Sequence, residues 1–384
     1  PQIFILSELG SAYPEEGFGY LYLKEAGSKP LAFLYVWTVF WTSDTPSITI
    51  IALSASSALA YFYPSLDNTI LGKFFAAFII ISLTTVHYRD VKQGGNLQIF
   101  LTIAKISPLL LLIISGFFYL NSGNLYIEPE VTSKSGNIFT LIIAGVAATT
   151  WSYAGFPNIL YMAGEIKNPQ KNLPRALIGS VLGIMAAYVL ISLASSALVP
   201  HEVLITESGK FANPFQFLPG FAAIAGGFLA IAAFISMIGA TNACIMVQPR
   251  IEYAIAKDGL FFSIFGRVHP KFNTPHASIL LQSGLAVLLL FIGDIENLLG
   301  YFTLSYLLQN ALVYLTIFKL KRKNNYNPTY KSPSWRLMAV LSIAIQLYLA
   351  YGTFVAYPMG GVLSAALLIA TGLPFYFYFK KRHQ

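Results

Sequence analysis

The chain has 384 residues, 56% of them hydrophobic and only 10% charged, and a mean hydropathy of +0.64. Soluble globular chains carry about 25% charged residues, so the composition excludes a soluble globular protein and points to an integral membrane protein. The formal charge of +8 suggests nucleic acid as a partner until the cations are placed along the chain, as below.

The chain opens Pro1-Gln-Ile-Phe-Ile-Leu-Ser-Glu8, with no initiator Met. A bilayer crossing takes about 20 residues, so this run reads as the tail of a truncated helix, and no cleavable signal peptide is expected. Apolar runs long enough to span follow at about 30–60, 69–87, 97–119, 138–162, 176–199, 221–248, 277–292, 297–318, 336–356 and 360–379. The runs at 30–60 and 221–248 are long for one bilayer and should tilt or project, and 277–292 is short. Segments 120–135 and 200–217 carry the Gly, Asn, Pro and acidic residues of solvated loops. No low-complexity segment or second domain interrupts the pattern, so residues 1–384 read as one transmembrane domain.

Alternating the loops between the two sides sorts the cations. Of the 24 Lys and Arg, all but Lys73, Lys134, Lys210 and Lys105 fall in one alternate set of loops. By the positive-inside tendency that set is cytoplasmic, as is the C-terminus. The net charge therefore faces the lipid headgroups, and nucleic acid is excluded as a partner. A multi-pass protein of the plasma membrane is expected.

Within the spans, the Trp151-Ser-Tyr-Ala-Gly-Phe-Pro-Asn158 stretch is the main anomaly. Pro157 removes a backbone donor and disfavours helical geometry at Phe156. Freed backbone groups at membrane depth are tolerated only where protein or a water-filled cavity satisfies them. A helix broken at mid-membrane beside an aromatic and small polar residues reads as the substrate site of a secondary transporter; the plainer reading is a Pro-kinked packing helix. Lys105 lies eight to ten residues inside its helix from the cytoplasmic end. It either snorkels or faces the bundle interior, where its ammonium replaces a bound sodium ion. Asp44, in Trp41-Thr-Ser-Asp-Thr-Pro46, is about 14 residues into its helix. An unpaired carboxylate there is costly, so it holds a proton, a substrate amine or Lys105, or else it caps a local turn beside Pro46. Tyr188 is a mid-span hydroxyl that needs a partner, in the site or on a neighbouring carbonyl. Ser236, Thr241 and Asn242 make one stretch of the 221–248 helix polar, with Ser236 and Asn242 as candidates to line the site against the alternative of ordinary helix contacts.

The lone Cys244 excludes an internal disulfide and a cysteine-based cluster. The five histidines lie in loops or at helix ends without ligand spacing, and no phosphate loop or nucleophilic triad is assembled. No metal, no cofactor and no enzymatic activity are expected.

Several stretches together resemble amino acid permeases of the APC superfamily. They are Gly164-Glu-Ile-Lys-Asn-Pro-Gln-Lys-Asn-Leu-Pro-Arg175, Pro249-Arg-Ile-Glu-Tyr-Ala-Ile-Ala-Lys-Asp-Gly-Leu260, His269-Pro-Lys-Phe-Asn-Thr-Pro275, and Ser7-Glu-Leu-Gly with Tyr20-Leu-Tyr-Leu-Lys-Glu-Ala26. Lys105 narrows the resemblance to the L-type amino acid transporter group and its bacterial relatives. The resemblance implies an all-α membrane protein with a LeuT-type 5+5 inverted-repeat fold, entered here at the tail of helix 2, without helix 1. It also implies roles. Trp151 closes over the substrate, backbone groups of Ser152, Tyr153 and Ala154 meet its amine, and Gly155 leaves room for it. Lys105 takes the place of a second sodium ion, and Tyr188 stands near the inner side of the site. Asp44-Thr-Pro46 departs from the pattern. The implied activity is alternating-access transport of small or medium, neutral amino acids, by sodium-independent exchange or proton-linked uptake. An amine or polyamine transporter with Asp44 as counter-ion is the alternative. A non-transporting sensor and a channel are further ones.

Overall fold

The computed structural model describes residues 1–120, 122–125, 150–153, 155–200, 203, 212–292, 295–356 and 358–382. Ala154, Lys134, Lys210, most of both outer loops and the first half of the 138–162 run lie outside them. Among the described residues there are helices and no strands.

The first spanning run is two helices in line, α3 (Lys29–Val39) and α4 (Thr45–Ala58), joined by a π-helical turn at Phe40–Asp44. Before them come α1 (Gln2–Ala12) and the short α2 (Gly19–Glu25). Pro46 explains the wide turn. It has no N–H to offer, so the Thr45 amide bonds back to the Phe40 carbonyl instead and the helix continues one residue wider. The length expected to cause tilt or projection is thus partly taken up in a bulge.

Next come α5 (Ile70–Arg89) and α6 (Val91–Phe118), which meet at a single extended residue, Asp90. Its carboxylate accepts the Lys92 amide at 2.8 Å and so caps α6, while Thr69 caps α5 through the Gly72 amide. After the broken segment run α7 (Pro169–Leu198), α8 (Ala225–Val247) and α9 (Arg250–Lys257). The last four are α10 (His276–Ile292), α11 (Ile295–Leu320), α12 (Trp335–Ala356) and α13 (Pro358–Arg382). Among the described residues, six helices are long and apolar enough to cross a membrane: Ile70–Arg89, Val91–Phe118, Pro169–Leu198, Ala225–Lys257, Trp335–Val355 and Val362–Arg382. The short 277–292 run is a 17-residue helix.

Among the described residues four apolar clusters hold the elements, the smallest of them, Leu304, Leu307 and Ala350, lying between α11 and α12. One joins α1, α2 and α3 to α8, α9, α11 and the end of α13 through Leu6, Tyr22, Phe33, Ile251 and Phe379. A second joins α4, α5, α8 and α10 through Ile48, Ile80, Ile245 and Leu290. The third seals the α6–α7 crossing with Leu112, Ala194 and Phe215. That crossing needs a glycine. A Cβ on Gly116 would overlap the Ala194 Cβ and backbone, which cannot swing away as a long side chain can. Gly116→Val is therefore expected to cost about 1–3 kcal/mol by overpacking, read as a lower melting temperature of the purified protein, whereas the same change at Gly183, with open space around it, should leave melting nearly unchanged.

Candidate functional site

Around Pro157 the chain makes no regular α-helix. Thr150–Tyr153 and Phe156–Glu165 are tight 3-10 segments on either side of Gly155, and Met162 departs from helical geometry at φ −111°. A Cβ on Gly155 would meet nothing within 4 Å, so the break borders open space. Tyr188 of α7 reaches this break. Its hydroxyl donates to the Ser152 carbonyl at 3.3 Å, and its ring stands edge-on to Tyr153 with centroids 5.5 Å apart. One hydroxyl thus satisfies a carbonyl that the interrupted helix leaves free. Tyr153 and Tyr188 border a groove continued by Met185, Val189, Ser192 and Leu193. Trp151 is the second residue of the first 3-10 segment.

Lys105 sits half-buried in α6. Buried Leu101 and Leu112 are four residues before and seven after it, whereas Ile103, Ile106 and Leu110 are exposed. Helical spacing therefore puts Lys105 on the inward stripe. The register across the antiparallel α6–α8 interface is fixed by two contacts. Asn242 Nδ2 donates to Gln98 Oε1 at 2.8 Å, and Gly239 faces Leu101. Continuing outward by one turn brings half-buried Ser236 opposite Lys105.

Asn242 itself is committed elsewhere. It is fully buried, and its Oδ1 meets His87 Nε2 at 2.9 Å while its amide spans Gln98 and the Gly94 carbonyl. The residue is a clamp between α5, α6 and α8.

Asp44 is 2% exposed and ends the π turn. Its side chain caps nothing in α4. Instead its Oδ1 accepts from the Tyr161 hydroxyl at 3.4 Å, and Tyr161 lies six residues beyond Gly155 in the broken segment. The turn expected at Pro46 is present, but the carboxyl faces inward. Lys105 is not among the groups that meet it.

Sequence reasoning passed over several polar groups here. Tyr161 looks in sequence like one more interfacial aromatic. Glu252 is 1% exposed, within the stretch that carries the permease resemblance, yet the resemblance gave it no role. Arg250, also 1% exposed, grips Glu165 with two nitrogens at 2.8 and 3.3 Å and donates to the Met246 carbonyl as well. The pair ties the end of the broken segment to the start of α9. An acidic residue just after a broken helix and a basic one just after a Pro were the available signals, but no periodicity links positions 85 residues apart.

A many-helix protein with six apolar helices long enough to cross a membrane among the described residues, and with 3-10 segments around Gly155 braced from a neighbouring helix, is consistent with a helical membrane transporter. The profile of the amino acid permease family matches residues 1–376, so the chain belongs to that family, which is one of transporters and not of enzymes. It is 27% identical to the serine/threonine exchanger SteT of Bacillus subtilis, over 98% of this chain and 85% of that one. It is 26% identical to the b(0,+)-type amino acid transporter 1 of Mus musculus, over 97% of this chain and 76% of the relative. The methylthioribose transporter of Bacillus subtilis is also 26% identical, over 99% and 83%. These similarities support amino acid transport and agree with the resemblance to the L-type group.

Proposed function

We propose that this permease moves small or medium, neutral amino acids across the plasma membrane by alternating access, by sodium-independent exchange or proton-linked uptake, on a LeuT-type 5+5 fold whose C-terminus is cytoplasmic. The observation that carries the reading is the interruption at Thr150–Glu165, open at Gly155 and braced by Tyr188 on the Ser152 carbonyl. Short 3-10 segments expose backbone groups that a regular helix would consume, and an amino acid's ammonium and carboxylate are the ligands such groups suit. The substrate lies over Ser152, Tyr153, Ala154 and Gly155, with Trp151 as outer gate and Tyr188 below. Lys105 stands where a sodium ion would otherwise bind, facing α8 at the level of Ser236.

The serine/threonine exchanger among the relatives makes L-serine the first substrate to try. Full-length protein in proteoliposomes loaded with L-serine is expected to take up radiolabelled L-serine equally with and without sodium. Unlabelled L-threonine should compete and putrescine should not. Competition by putrescine alone would move the protein to amine transport, with Asp44 as counter-ion. The enclosure of Asp44 and its bond to Tyr161 argue for a proton rather than an amine at that carboxyl. Serine binding without counterflow would instead make it a sensor.

A further inference from the structure

Helix α8 continues through Gln248 and Pro249 into α9 without leaving helical geometry. Cys244, Gln248 and Glu252 recur at four-residue spacing and so share one face. That face meets the π turn. Gln248 Nε2 donates to Ser47 Oγ at 3.0 Å, and Ser47 Oγ donates to the Asp44 carbonyl at 2.8 Å. Cys244 also lies beside Ser47, and Asp44 is within electrostatic range of Glu252. Asp44, Gln248 and Glu252 are each at most 3% exposed. Asp44 Oδ2 and Gln248 Oε1 have no hydrogen-bond partner within 3.5 Å, although the Ser43 hydroxyl lies beside the Asp44 carboxyl, and both Glu252 carboxyl oxygens have none apart from their own amide.

Donor counting shows what this seam lacks. With both carboxyls ionised, these four oxygens accept and none donates. Neither carboxyl forms an ion pair among the described residues, because Arg250 is taken by Glu165. The other titratable groups facing the seam are hydroxyls and a thiol: Tyr35 from α3, Tyr161 from the broken segment, Tyr306 from α11 and Cys244 from α8. Two enclosed carboxylates of like charge with no cation between them are mutually destabilising. A proton on one removes the repulsion and supplies the missing donor. A π turn at this point fits as well, since such bulges gather at functional sites.

We propose that Asp44 and Glu252 form a buried carboxyl pair that takes up and releases one exchangeable proton, and that Tyr161 links its occupancy to the broken segment. The inference rests on the transporter reading and selects proton-linked uptake within it. A proton from water converts one carboxylate to a carboxylic acid, and its return leaves the carboxylate. Tyr161 donates to Asp44 Oδ1 across the boundary between the π turn and the segment that carries the substrate, so a change in charge on Asp44 alters the hold on that segment.

The test uses the full chain in proteoliposomes with two readouts. The first is L-serine accumulation driven by an inward proton gradient, compared with L-serine counterflow at equal pH. The second is the infrared carbonyl band of a protonated carboxylic acid on stepping the pH. Asp44→Asn and Glu252→Gln should each lose gradient-driven accumulation while keeping counterflow, and the double variant should lose the band. Tyr161→Phe should keep the band and lose the gradient drive; if it keeps the drive, the link through Tyr161 falls. An unchanged band in the double variant, or accumulation driven by sodium and indifferent to pH, overturns the proton site. A wild-type band with no counterflow of any amino acid overturns the transporter reading alone. Should Asp44→Asn fail to fold, Glu252→Gln decides by the same readouts.

Discussion

Replacing Lys105 by methionine is expected to lower serine counterflow about a hundredfold while leaving the protein folded. Methionine keeps most of the length and apolar bulk of the stem, so the α6–α8 packing beside Leu101 and Gly239 survives. What is lost is the ammonium on the inward stripe. A hydrogen bond to a charged group contributes up to about 3 kcal/mol, and each 1.4 kcal/mol is about tenfold in an equilibrium. The loss of one such bond from an obligatory conformation thus gives roughly a hundredfold. If Lys105 merely snorkelled, methionine would be neutral. Counterflow at the wild-type rate, with an unchanged melting temperature, would remove Lys105 from the site. Lys105→Arg should not rescue, because the guanidinium is larger, planar and differently hydrated.

The second large effect lies on the basic side of the protein, where Glu8 of α1 is fully enclosed. Its carboxylate meets Lys321 Nζ at 2.6 Å, the Tyr326 hydroxyl at 3.1 Å and the Ser332 amide at 2.8 Å. Burial and the neighbouring Glu8 push the Tyr326 hydroxyl up from its ordinary value, so it stays a neutral donor over the working range. Ser11 adds two contacts to Tyr330, and Thr329 reaches the Gln170 carbonyl at the start of α7. The loop between α11 and α12 is therefore stapled to α1 and α7. The partners are unequal: Lys321 is 20% exposed and also lies over the Trp335 ring, whereas Glu8 has no contact with water. Lys321→Met leaves a buried carboxylate without its counter-charge and should cost about 3 kcal/mol. Glu8→Gln removes the charge, keeps an acceptor for Ser332 and leaves Lys321 free to reach water, so it should cost less. Thermal melting of the purified variants reads the order. A larger loss for Glu8→Gln than for Lys321→Met would mean that the pair is held by shape rather than by charge.

Hydropathy alone located six of the ten expected runs as helices long and apolar enough to cross a membrane, because a bilayer imposes a length and a composition on each crossing. The broken helix was legible for a similar reason: Pro157 in an apolar run has a direct backbone consequence. What local sequence could not give was register between distant helices. Ser236 and Asn242 looked equivalent as polar residues in one helix. The α6–α8 register separates them, giving Asn242 to His87 and Gln98 and leaving Ser236 level with Lys105. Asp44 was legible as an anomaly but not as a partner of Tyr161, 117 residues away. Glu8 and Glu252 both stood inside stretches that carried the permease resemblance. Resemblance identifies a stretch as belonging to a family without saying which of its side chains is enclosed.

The Asn242 clamp has a mechanical meaning. Three rods pinned at one point by His87, Gln98 and Asn242 behave as a truss: α5, α6 and α8 can pivot about the pin but cannot slide along one another without breaking buried polar bonds that no water replaces. Stiffness is thereby concentrated toward one end of the three helices, and compliance increases outward from the pin, toward and past the mid-helix level of Lys105 and Ser236.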